Sequence, residues 1–525
     1  MSEVNLEALS KKSEDDTKSN NAMKEVDQAL KECGFGLFHI RLLCSSFFAL
    51  VSGMVLTNTT PYILPVAECD LNMTLVQKGM LNASPYVGMI LVSILGGFLS
   101  DTFGRKIFLV CGFGGTFVFT VISGTSQTYI VLLIAKFCEG FIFAFAFNPV
   151  VTLTSEFCHN GIRDRIMLFQ SSFASISQVI VALMSWAILP QNWGQTFFNG
   201  YIVLHTWNFY LFIMSLWAFC ASFMYIFLPD SPKYFITQKR YDKARDILIS
   251  VYKQNTGKSA DTFPYKDIWK DKTKLPIDET PEHKSETSFS KMLAVGLHNV
   301  KPMFQKPLGL YILLLSTSNF FIMMLFNVIR LWFPQLSTIV EHYSSEDNQG
   351  LCEMLDAYTA DLKIRRVNVT ESDVCIANVS GTETYINSIV LGTVCIIPYI
   401  ISGVLVNKVG KKNLYIACGS LCAAATLGLR WTSSKIAMVA LFSSDTALGQ
   451  IMMSLNQFLV IDLFPTTTRS LAVAITMTLG RIGSLVGNVL FPILLDKGCV
   501  VPFFTLAGTM IGVVILSLLV PTKKK

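Results

Sequence analysis

The chain has 525 residues, of which 52% are hydrophobic and only 15% are charged, with a formal net charge of +6. Soluble globular proteins carry about 25% charged residues, so this composition, with a mean hydropathy of +0.49, excludes an ordinary soluble domain. Uncharged runs such as 42–67, 79–100 and 307–329 exceed the roughly 20 residues that cross a bilayer core. They lack the apolar–polar alternation of barrel strands, so the sequence predicts an all-α, multi-pass membrane protein.

Residues 1–35 are predicted to form a disordered cytosolic tail. Their acidic residues outnumber their lysines, and they lack the basic start and apolar centre of a cleavable signal peptide. A polar, charged segment of this kind cannot bury enough apolar surface to fold alone. The tail is therefore a candidate site for cytosolic partners.

Twelve transmembrane helices are predicted in two six-helix halves, one in residues 36–228 and one in 308–520. Most of the 42 Lys and Arg fall on one side of these spans, together with both ends of the chain. The positive-inside rule makes that side, and therefore both termini and the short tail 521–525, cytosolic. The predicted spans are 40–66, 79–100, 106–124, 128–153, 166–190, 207–228, 308–334, 385–407, 413–429, 435–461, 469–494 and 498–520.

Residues 229–307 are predicted to be a cytosolic linker between the halves. Its first part, PKYFITQKRYDKARDILISVYKQ, has apolar residues at helical spacing and is expected to lie against the membrane or the helix bundle. The NTGKS that follows ends like a phosphate-binding loop. Tyr252 stands where such a loop needs a glycine, which excludes nucleotide binding.

A second long loop, 340–384, is predicted on the extracytosolic side. It contains glycosylation sequons at Asn368 and Asn378, and these agree with the charge-based orientation. It also contains Cys352 and Cys375, for which an oxidising compartment favours a disulfide over free thiols. The remaining cysteines are interpreted as apolar filler, and the six histidines form no ligand-spaced cluster. The sequence therefore predicts no metal, no cofactor, no nucleic-acid partner and no enzymatic activity.

The two halves repeat each other at an offset of 306 residues. The stretch GGFLSDTFGRK at 96–106 returns as SGVLVNKVGKK at 402–412, and charged positions in later spans return at the same offset. Two parallel halves predict a substrate site between them near the bilayer midplane, with access that alternates as the halves rock. The matched positions are Gly97 and Gly403, Asp101 and Asn407, Gly104 and Gly410, Arg105 and Lys411, Lys106 and Lys412, Glu139 and Asp445, Glu156 and Asp462, and Arg163 and Arg469.

Five charged residues fall inside predicted spans and away from the first and last two residues of the span, where each costs at least 2.5–3.5 kcal/mol on insertion scales. Arg330 is far enough past the middle of its predicted span to extend its side chain to the membrane surface. Lys136, Glu139, Asp445 and Arg481 lie near the middle of their spans. One hypothesis is that these four form two internal ion pairs that only help assembly. The other is that one or more face the cavity, with the cations attracting an anion and the carboxylates a cation or proton.

Span 1 is uncharged between Leu50 and Leu56, so proton coupling through that span is not expected. Any coupling falls to Glu139 or Asp445. Two interpretations remain open for Asn58, Thr59 and Thr60. They are neutral hydrogen-bonding groups for a substrate, or they mark the outer end of the helix. Trp332 is interpreted as an interface anchor.

The motif set resembles that of the major facilitator superfamily. It comprises GGFLSDTFGRK after span 2, Lys136–Gly140 in span 4, Pro229–Lys233 after span 6 and DLFPTTTR after span 10. Within the superfamily, YILPVAECDL, RLWFPQL and LGRIGSLVGN resemble the synaptic vesicle glycoprotein 2 and related-protein branch, close to the organic-ion transporters.

The resemblance implies a secondary transporter for a small organic ion or solute, in the plasma membrane or an intracellular vesicle membrane. It also implies that Asp101 docks on the opposite half to latch one state, although the motif could serve only as a topology anchor. The alternative function is a non-transporting vesicle glycoprotein that regulates trafficking through partner binding, since a fold does not certify a function.

Overall fold

The computed structural model describes residues 23–197, 202–238, 240–269, 305–343, 350–367, 380–395, 401, 405, 408–464 and 466–521. Within these ranges the chain is almost entirely helical. The predicted sites Asn368, Asn378, Cys375, Gly403 and Asn407 lie outside the described residues. So do the side chains of Asp101 and Arg469, whereas Gly97 lies in the helix that ends at Phe103.

The first half is built from six long helices. Thr74 starts the second of them with a reciprocal capping box to Gln77, which satisfies backbone donors at the helix start. A short hairpin of β1 (Gly194–Phe197) and β2 (Ile202–His205) precedes the sixth. With residues 23–33 as α1, the helices are α2 (Leu37–Ala67), α3 (Leu75–Phe103), α4 (Arg105–Gly124), α5 (Tyr129–Glu156), α6 (Asn160–Ile188) and α7 (Thr206–Ile226).

Two shorter helices, α8 (Pro232–Thr237) and α9 (Tyr241–Thr256), follow in the linker, where helical spacing predicted them. The second half then contains α10 (Leu308–Tyr343), α11 (Leu351–Val367), α12 (Thr382–Val394), α13 (Lys411–Gly428), α14 (Lys435–Leu463), α15 (Thr466–Leu495) and α16 (Val500–Leu519).

Among the described residues, ten helices are long and apolar enough to cross a membrane. The predicted spans 2 and 8 fall on α3 and on α12, and the segment after α12 is only partly described. The count of twelve spans therefore remains a prediction. The helical class itself is confirmed, and the long helices coincide with predicted spans to within a few residues, apart from α10.

The repeat is visible in the backbone. Gly104 and Gly410 begin equivalent helices with φ of 95° and 88°, in a region of backbone space that is essentially restricted to glycine. The residues that follow form equivalent ion pairs, Arg105 with Glu156 at 2.8 Å and Lys411 with Asp462 at 2.5 Å. Two sequences 306 positions apart thus build the same turn with the same electrostatic support.

The helix ends define two faces of the molecule. The terminal face carries α1, α8, α9 and the turns at Gly104 and Gly410; the loop face carries the hairpin, α11 and the residues between α13 and α14. At the loop face Leu351 donates its backbone N–H to Thr432, and Asp356 accepts from the backbone of Cys499. At the terminal face Asn255 of α9 contacts the start of α2.

Part of the predicted disordered tail is ordered, which corrects that prediction for residues 23–33. Val26, Ala29, Leu30 and Cys33 share one face of α1 and are fully buried against α9 and residues 263–269 of the linker. The Cys33 thiol donates to the carbonyl of Leu248 at 3.6 Å. Four apolar residues at helical spacing form one apolar face on this short segment, although most of its residues are polar.

The predicted Cys352–Cys375 disulfide is wrong, because Cys352 is bonded to Cys499. Cys352 lies in the first turn of α11, which packs at the loop face beside the start of α16. The two Cα atoms are therefore only 5.1 Å apart, although 147 positions separate them in the chain. Cys69, on the same face, is also disulfide-bonded.

Candidate functional site

Three helices, α3, α10 and α15, meet along a polar contact between the two halves. The Tyr86 hydroxyl of α3 donates to Asn327 Oδ1 of α10 at 2.9 Å, and Asn327 Nδ2 donates to Ser484 Oγ of α15 at 2.8 Å. All three side chains are buried. Because a buried polar group must be hydrogen-bonded to be tolerated, this chain of contacts fixes how α3 sits against the second half.

Arg330 extends this network into the space between the halves. Its guanidinium donates to Asn327 at 3.1 Å and to Tyr86 at 3.5 Å, and it lies 5.0 Å from the centroid of the Phe326 ring. Its Nε is buried without a hydrogen-bond partner, and the described chain places no carboxylate within ion-pair distance of it. The residue is 9% exposed. Arg330 is therefore a buried cation surrounded by neutral groups.

The guanidinium lines a pocket to which both halves contribute. The first half supplies side chains from α2 and α6, and the second half supplies them from α10 and α12. Besides Arg330, four of the lining residues offer neutral polar groups and four are apolar. The lining consists of Asn58, Pro61, Tyr62, Gln178, Arg330, Phe333, Pro334, Ser388 and Leu391.

The prediction that Arg330 reaches the membrane surface is wrong. The predicted span ended at 334, but α10 continues to Tyr343, so Arg330 lies only about five residues past its middle, or roughly 7 Å at 1.5 Å per residue. The interface assignment of Trp332 is wrong for the same reason. Its ring is fully buried and packs on Phe491 at 5.2 Å between centroids.

Lys136 and Glu139 form an ion pair at 2.9 Å inside the first half, with both side chains fully buried. Thr120 of α4 donates to Glu139 at 2.9 Å, and Lys136 donates to Thr59 of α2 at 3.3 Å. Neither side chain lines the pocket between the halves. Their partners connect α2, α4 and α5, which is the assembly role that one of the two hypotheses describes.

Asp445 occupies the position in α14 that Glu139 occupies in α5. Its carboxylate accepts from Thr426 at 2.7 Å and from the Cys422 thiol at 2.8 Å, and it is fully buried. Thr426 is the repeat equivalent of Thr120, so the hydroxyl–carboxylate bond is duplicated as well. The described residues place no cation against this carboxylate, and Asp445 and Arg481 do not pair.

Arg481 instead crosses to the first half, where it donates to Ser93 of α3. Both guanidinium groups, those of Arg330 and Arg481, are close enough to the Tyr86 hydroxyl to interact with it electrostatically. Arg330 and Arg481 thus lie on one wall of the space between the halves. Of these two, sequence reasoning selected only Arg481 as a candidate site residue.

The motif residues at the terminal face form a compact cluster. Asp230 accepts from the backbone N–H of Arg105 at 3.3 Å, and a Cβ added at Gly104 would come within 2.5 Å of its carboxylate. Lys106 donates to the carbonyl of Ile226 at 2.7 Å.

Two further motif cations, Arg163 and Lys233, lie near this cluster. Arg163 donates to the carbonyl of Ser155 at 3.2 Å. Burial, and then the charge of Arg163, lower the pKa of the Lys233 amino group. The motif after predicted span 2 and the motif after predicted span 6 therefore hold helix ends together within the first half.

These features define a polytopic helical membrane protein made of two equivalent halves around a polar pocket. The family profile described as "Sugar (and other) transporter" matches residues 10–327, and that described as "Major Facilitator Superfamily" matches residues 370–525. The first match covers more than half of the sequence. The chain belongs to the sugar (and other) transporter family of the major facilitator superfamily, and it is not placed among enzymes.

Its relatives confirm the branch that the motifs indicated. Synaptic vesicle glycoprotein 2B of Rattus norvegicus is 21% identical over 95% of this chain and 86% of its own length. Synaptic vesicle glycoprotein 2A of Rattus norvegicus is 28% identical over 44% of this chain, and that match spans only 31% of the relative. Synaptic vesicle glycoprotein 2C of Mus musculus is 26% identical over 50% of this chain and 36% of its own length.

Among solved structures, the xylose transporter XylE from E. coli in a partially occluded inward-open conformation matches with a TM-score of 0.63. The match covers 93% of this chain and all of that one, at 13% sequence identity. A D-xylose–proton symporter matches with a TM-score of 0.60 at 15% identity, over 93% of this chain and 97% of that one. At these identities the likeness shows the fold alone.

Proposed function

We propose that this protein is a secondary transporter that moves a small organic ion or solute by alternating access. The observation that supports the proposal best is the pocket between the halves, which holds a buried arginine without an anionic partner in the described part of the chain. Burying a charge without compensation is costly. A protein that only needed a stable fold would gain from an apolar residue at this position.

The contacts between the halves support a conformation closed toward the loop face. Tyr62 of α2 stacks on Tyr385 of α12 with 6.2 Å between ring centroids, and Gly79 of α3 approaches the backbone of Asn488 of α15. The bond from Arg481 to Ser93 lies nearer the middle of the helices. In the alternating-access scheme these contacts open as the halves rock.

The charged residues then take different roles. Lys136 and Glu139 hold the first half together as a pair. Asp445, beside which the described helices place no cation, is the candidate coupling group, because a carboxylate in that setting can accept a proton or an inorganic cation. Arg481 is the candidate latch between the halves, and Arg330 is the candidate substrate contact.

The terminal face is proposed to be cytosolic. The positive-inside rule places it there, and the sequons Asn368 and Asn378 then belong to the opposite side. The names of the relatives support a vesicle membrane, and the plasma membrane is the second possibility for a carrier of this kind.

A second function is a non-transporting vesicle glycoprotein. Helix α2 favours it, since none of its 31 residues is Asp or Glu and the carboxylates usual in span 1 of this branch are missing. In this case the ordered α1 and the loop between α10 and α12 would bind partners.

Flux measurements in liposomes separate the two functions. We expect time-dependent uptake of at least one solute from a panel of organic anions, organic cations and sugars, compared with protein-free liposomes. Arg481→Ala should lower that uptake while the yield of folded protein stays unchanged, because its contact to Ser93 is one of the few polar links between the halves. Absence of flux across the whole panel, with protein shown to be folded, would favour the non-transporting function.

A further inference from the structure

The membrane-embedded charges do not balance between the halves. Within the predicted spans the carboxylates are Glu139 and Asp445, and no Asp or Glu occurs between Glu383 and Asp445. Glu139 is neutralised by Lys136 at 2.9 Å. Asp445 is enclosed by Thr426 and Cys422 inside the second half. Among the residues that the structure describes, Arg330 and Arg481 therefore have no carboxylate partner at the interface.

From this imbalance we infer that the pocket is an anion site, and that Arg330 binds the carboxylate group of a small organic anion. The inference rests on the proposed transport function for its biological meaning. The binding site itself stands on the geometry of Arg330, whose Nε is buried without a hydrogen-bond partner. A guanidinium presents its donors in a planar fork that matches the two oxygens of a carboxylate.

The surroundings of Arg330 favour an external anion over an internal one. Its contacts are all neutral: Asn327 Oδ1, the Tyr86 hydroxyl, the Met54 sulfur and the face of Phe326. They orient the guanidinium without cancelling its charge. The second cation, Arg481, interacts with the same hydroxyl and adds to the positive potential along this wall. Low-dielectric walls concentrate such a potential in the cleft that they enclose.

The rest of the pocket limits what the anion carries. Asn58, Gln178 and Ser388 offer neutral donors and acceptors, while Phe333 and Leu391 provide apolar surface. Such a lining binds hydroxyl or carbonyl groups on a short carbon skeleton, and it provides no carboxylate to neutralise an ammonium group. The ligand class is therefore a small carboxylate with neutral polar substituents. The pocket has a volume of only about 10 Å³ in this conformation, so it has to widen as the halves move before such a ligand enters. The charge of Arg330 excludes organic cations from this subsite.

Thermal unfolding of the purified full-length protein tests the site directly. The probes are acetate, benzoate and gluconate as sodium salts, their amides acetamide, benzamide and gluconamide, and the matched cations ethylammonium and benzylammonium. Sodium chloride at equal concentration corrects for ionic strength. The variants are Arg330→Gln and Arg330→Lys, with Arg245→Gln as the control, since Arg245 lies on the terminal-face helix α9 in a local pair with Asp242.

We expect at least one carboxylate to raise the unfolding temperature of the wild type and of Arg245→Gln, while its amide and the cations do not. In Arg330→Gln the apparent affinity for that carboxylate should fall about ten- to one-hundred-fold, the range for losing hydrogen bonds to a charged group. Arg330→Lys should lie in between, because it keeps the charge but loses the fork. Without ligand, Arg330→Gln should unfold at the same or a higher temperature, which separates a binding role from a folding role.

The inference is overturned if amides or cations stabilise as well as carboxylates, if no carboxylate in the panel stabilises, or if Arg330→Gln keeps the full response. The liposome assay keeps this failure distinct from failure of the proposed function. Flux of a neutral or cationic solute that is insensitive to Arg330→Gln would sustain transport and reject the anion site. Carboxylate binding that depends on Arg330, with no flux, would sustain the site and reject transport.

Discussion

The two halves contain the same buried motif with different electrostatics. In the first half Thr120 donates to Glu139 and Lys136 neutralises that carboxylate; in the second half Thr426 donates to Asp445 and the position equivalent to Lys136 is Phe442. Both carboxylates are fully buried. The duplicated fold thus preserves the carboxylate and its hydroxyl donor, while only one copy keeps the cation.

This difference indicates that the first copy stabilises the fold and that the second copy can change its charge state. A buried ion pair that also contacts Thr59 and Thr120 ties α2, α4 and α5 into one body. A buried carboxylate that is held only by a hydroxyl and a thiol can accept and release a proton or an inorganic cation. The comparison therefore assigns assembly to the first copy and coupling to the second, and substitutions can test the assignment.

The largest effect is expected for Glu139→Gln, which leaves Lys136 buried and unpaired. Removing one partner of a buried pair costs about 3–5 kcal/mol. Chemical or thermal unfolding in detergent measures the loss. The double variant Lys136→Met with Glu139→Gln is the control and should recover most of the stability, because it removes both charges. An equal loss in the single and double variants would show that the pair is not the cause.

A smaller loss is expected for Cys499→Ser, which removes the link between α11 and α16 in the second half. Removing a native disulfide typically costs about 2–4 kcal/mol. Cys352→Ser should lower the unfolding temperature by the same amount, and the double variant should add nothing further. If Cys499→Ser proved neutral while Cys352→Ser did not, Cys352 would have to pair elsewhere.

Of the two equivalent ion pairs at the terminal face, the more buried pair should contribute more to the free energy of unfolding. Arg105 and Glu156 are 11% and 15% exposed, whereas Lys411 and Asp462 are 38% and 42% exposed. We expect Glu156→Gln to cost more than about 1 kcal/mol and Asp462→Asn less than that, since exposed pairs contribute about 0.2–1 kcal/mol. Unfolding midpoints at low and high salt check both, and a larger loss for Asp462→Asn would reverse the ranking.

The smallest effect on folding is expected for Asp445→Asn. The amide oxygen still accepts from Thr426 or Cys422, so the change in unfolding free energy should stay below about 1 kcal/mol. Uptake that depends on a proton or cation gradient should nevertheless fall, while exchange without a gradient persists. A stability loss as large as that of Glu139→Gln would contradict the assignment of different roles.

Much of the helical architecture could be predicted from sequence because membrane spans are local features of composition. The turn at Gly104 and its copy at Gly410 were visible because glycine spacing and adjacent cations survive duplication. The Lys136–Glu139 pair was also foreseen as one of two alternatives, since residues three apart share a helix face.

Other features depended on distances that a single sequence does not contain. Arg330 was dismissed because the length of α10 was underestimated, so the depth of its side chain was wrong. The disulfide of Cys352 needed the packing of α11 against α16, which brings together residues far apart in the chain. Helix α1 was not predicted because its four buried apolar residues stand among charged and polar residues. Their helical spacing could nevertheless have indicated a helix.

Alternating access can be measured most directly with spin labels at repeat-equivalent sites on the two faces. Phe103 and Val409 are exposed on the terminal face, and Thr128 and Ser434 are exposed helix starts on the loop face without side-chain capping bonds. In bilayers we predict two distance populations for each pair, with a ligand that favours one state lengthening one distance as it shortens the other. A single unchanging distance on both faces, with and without solute, would contradict the account.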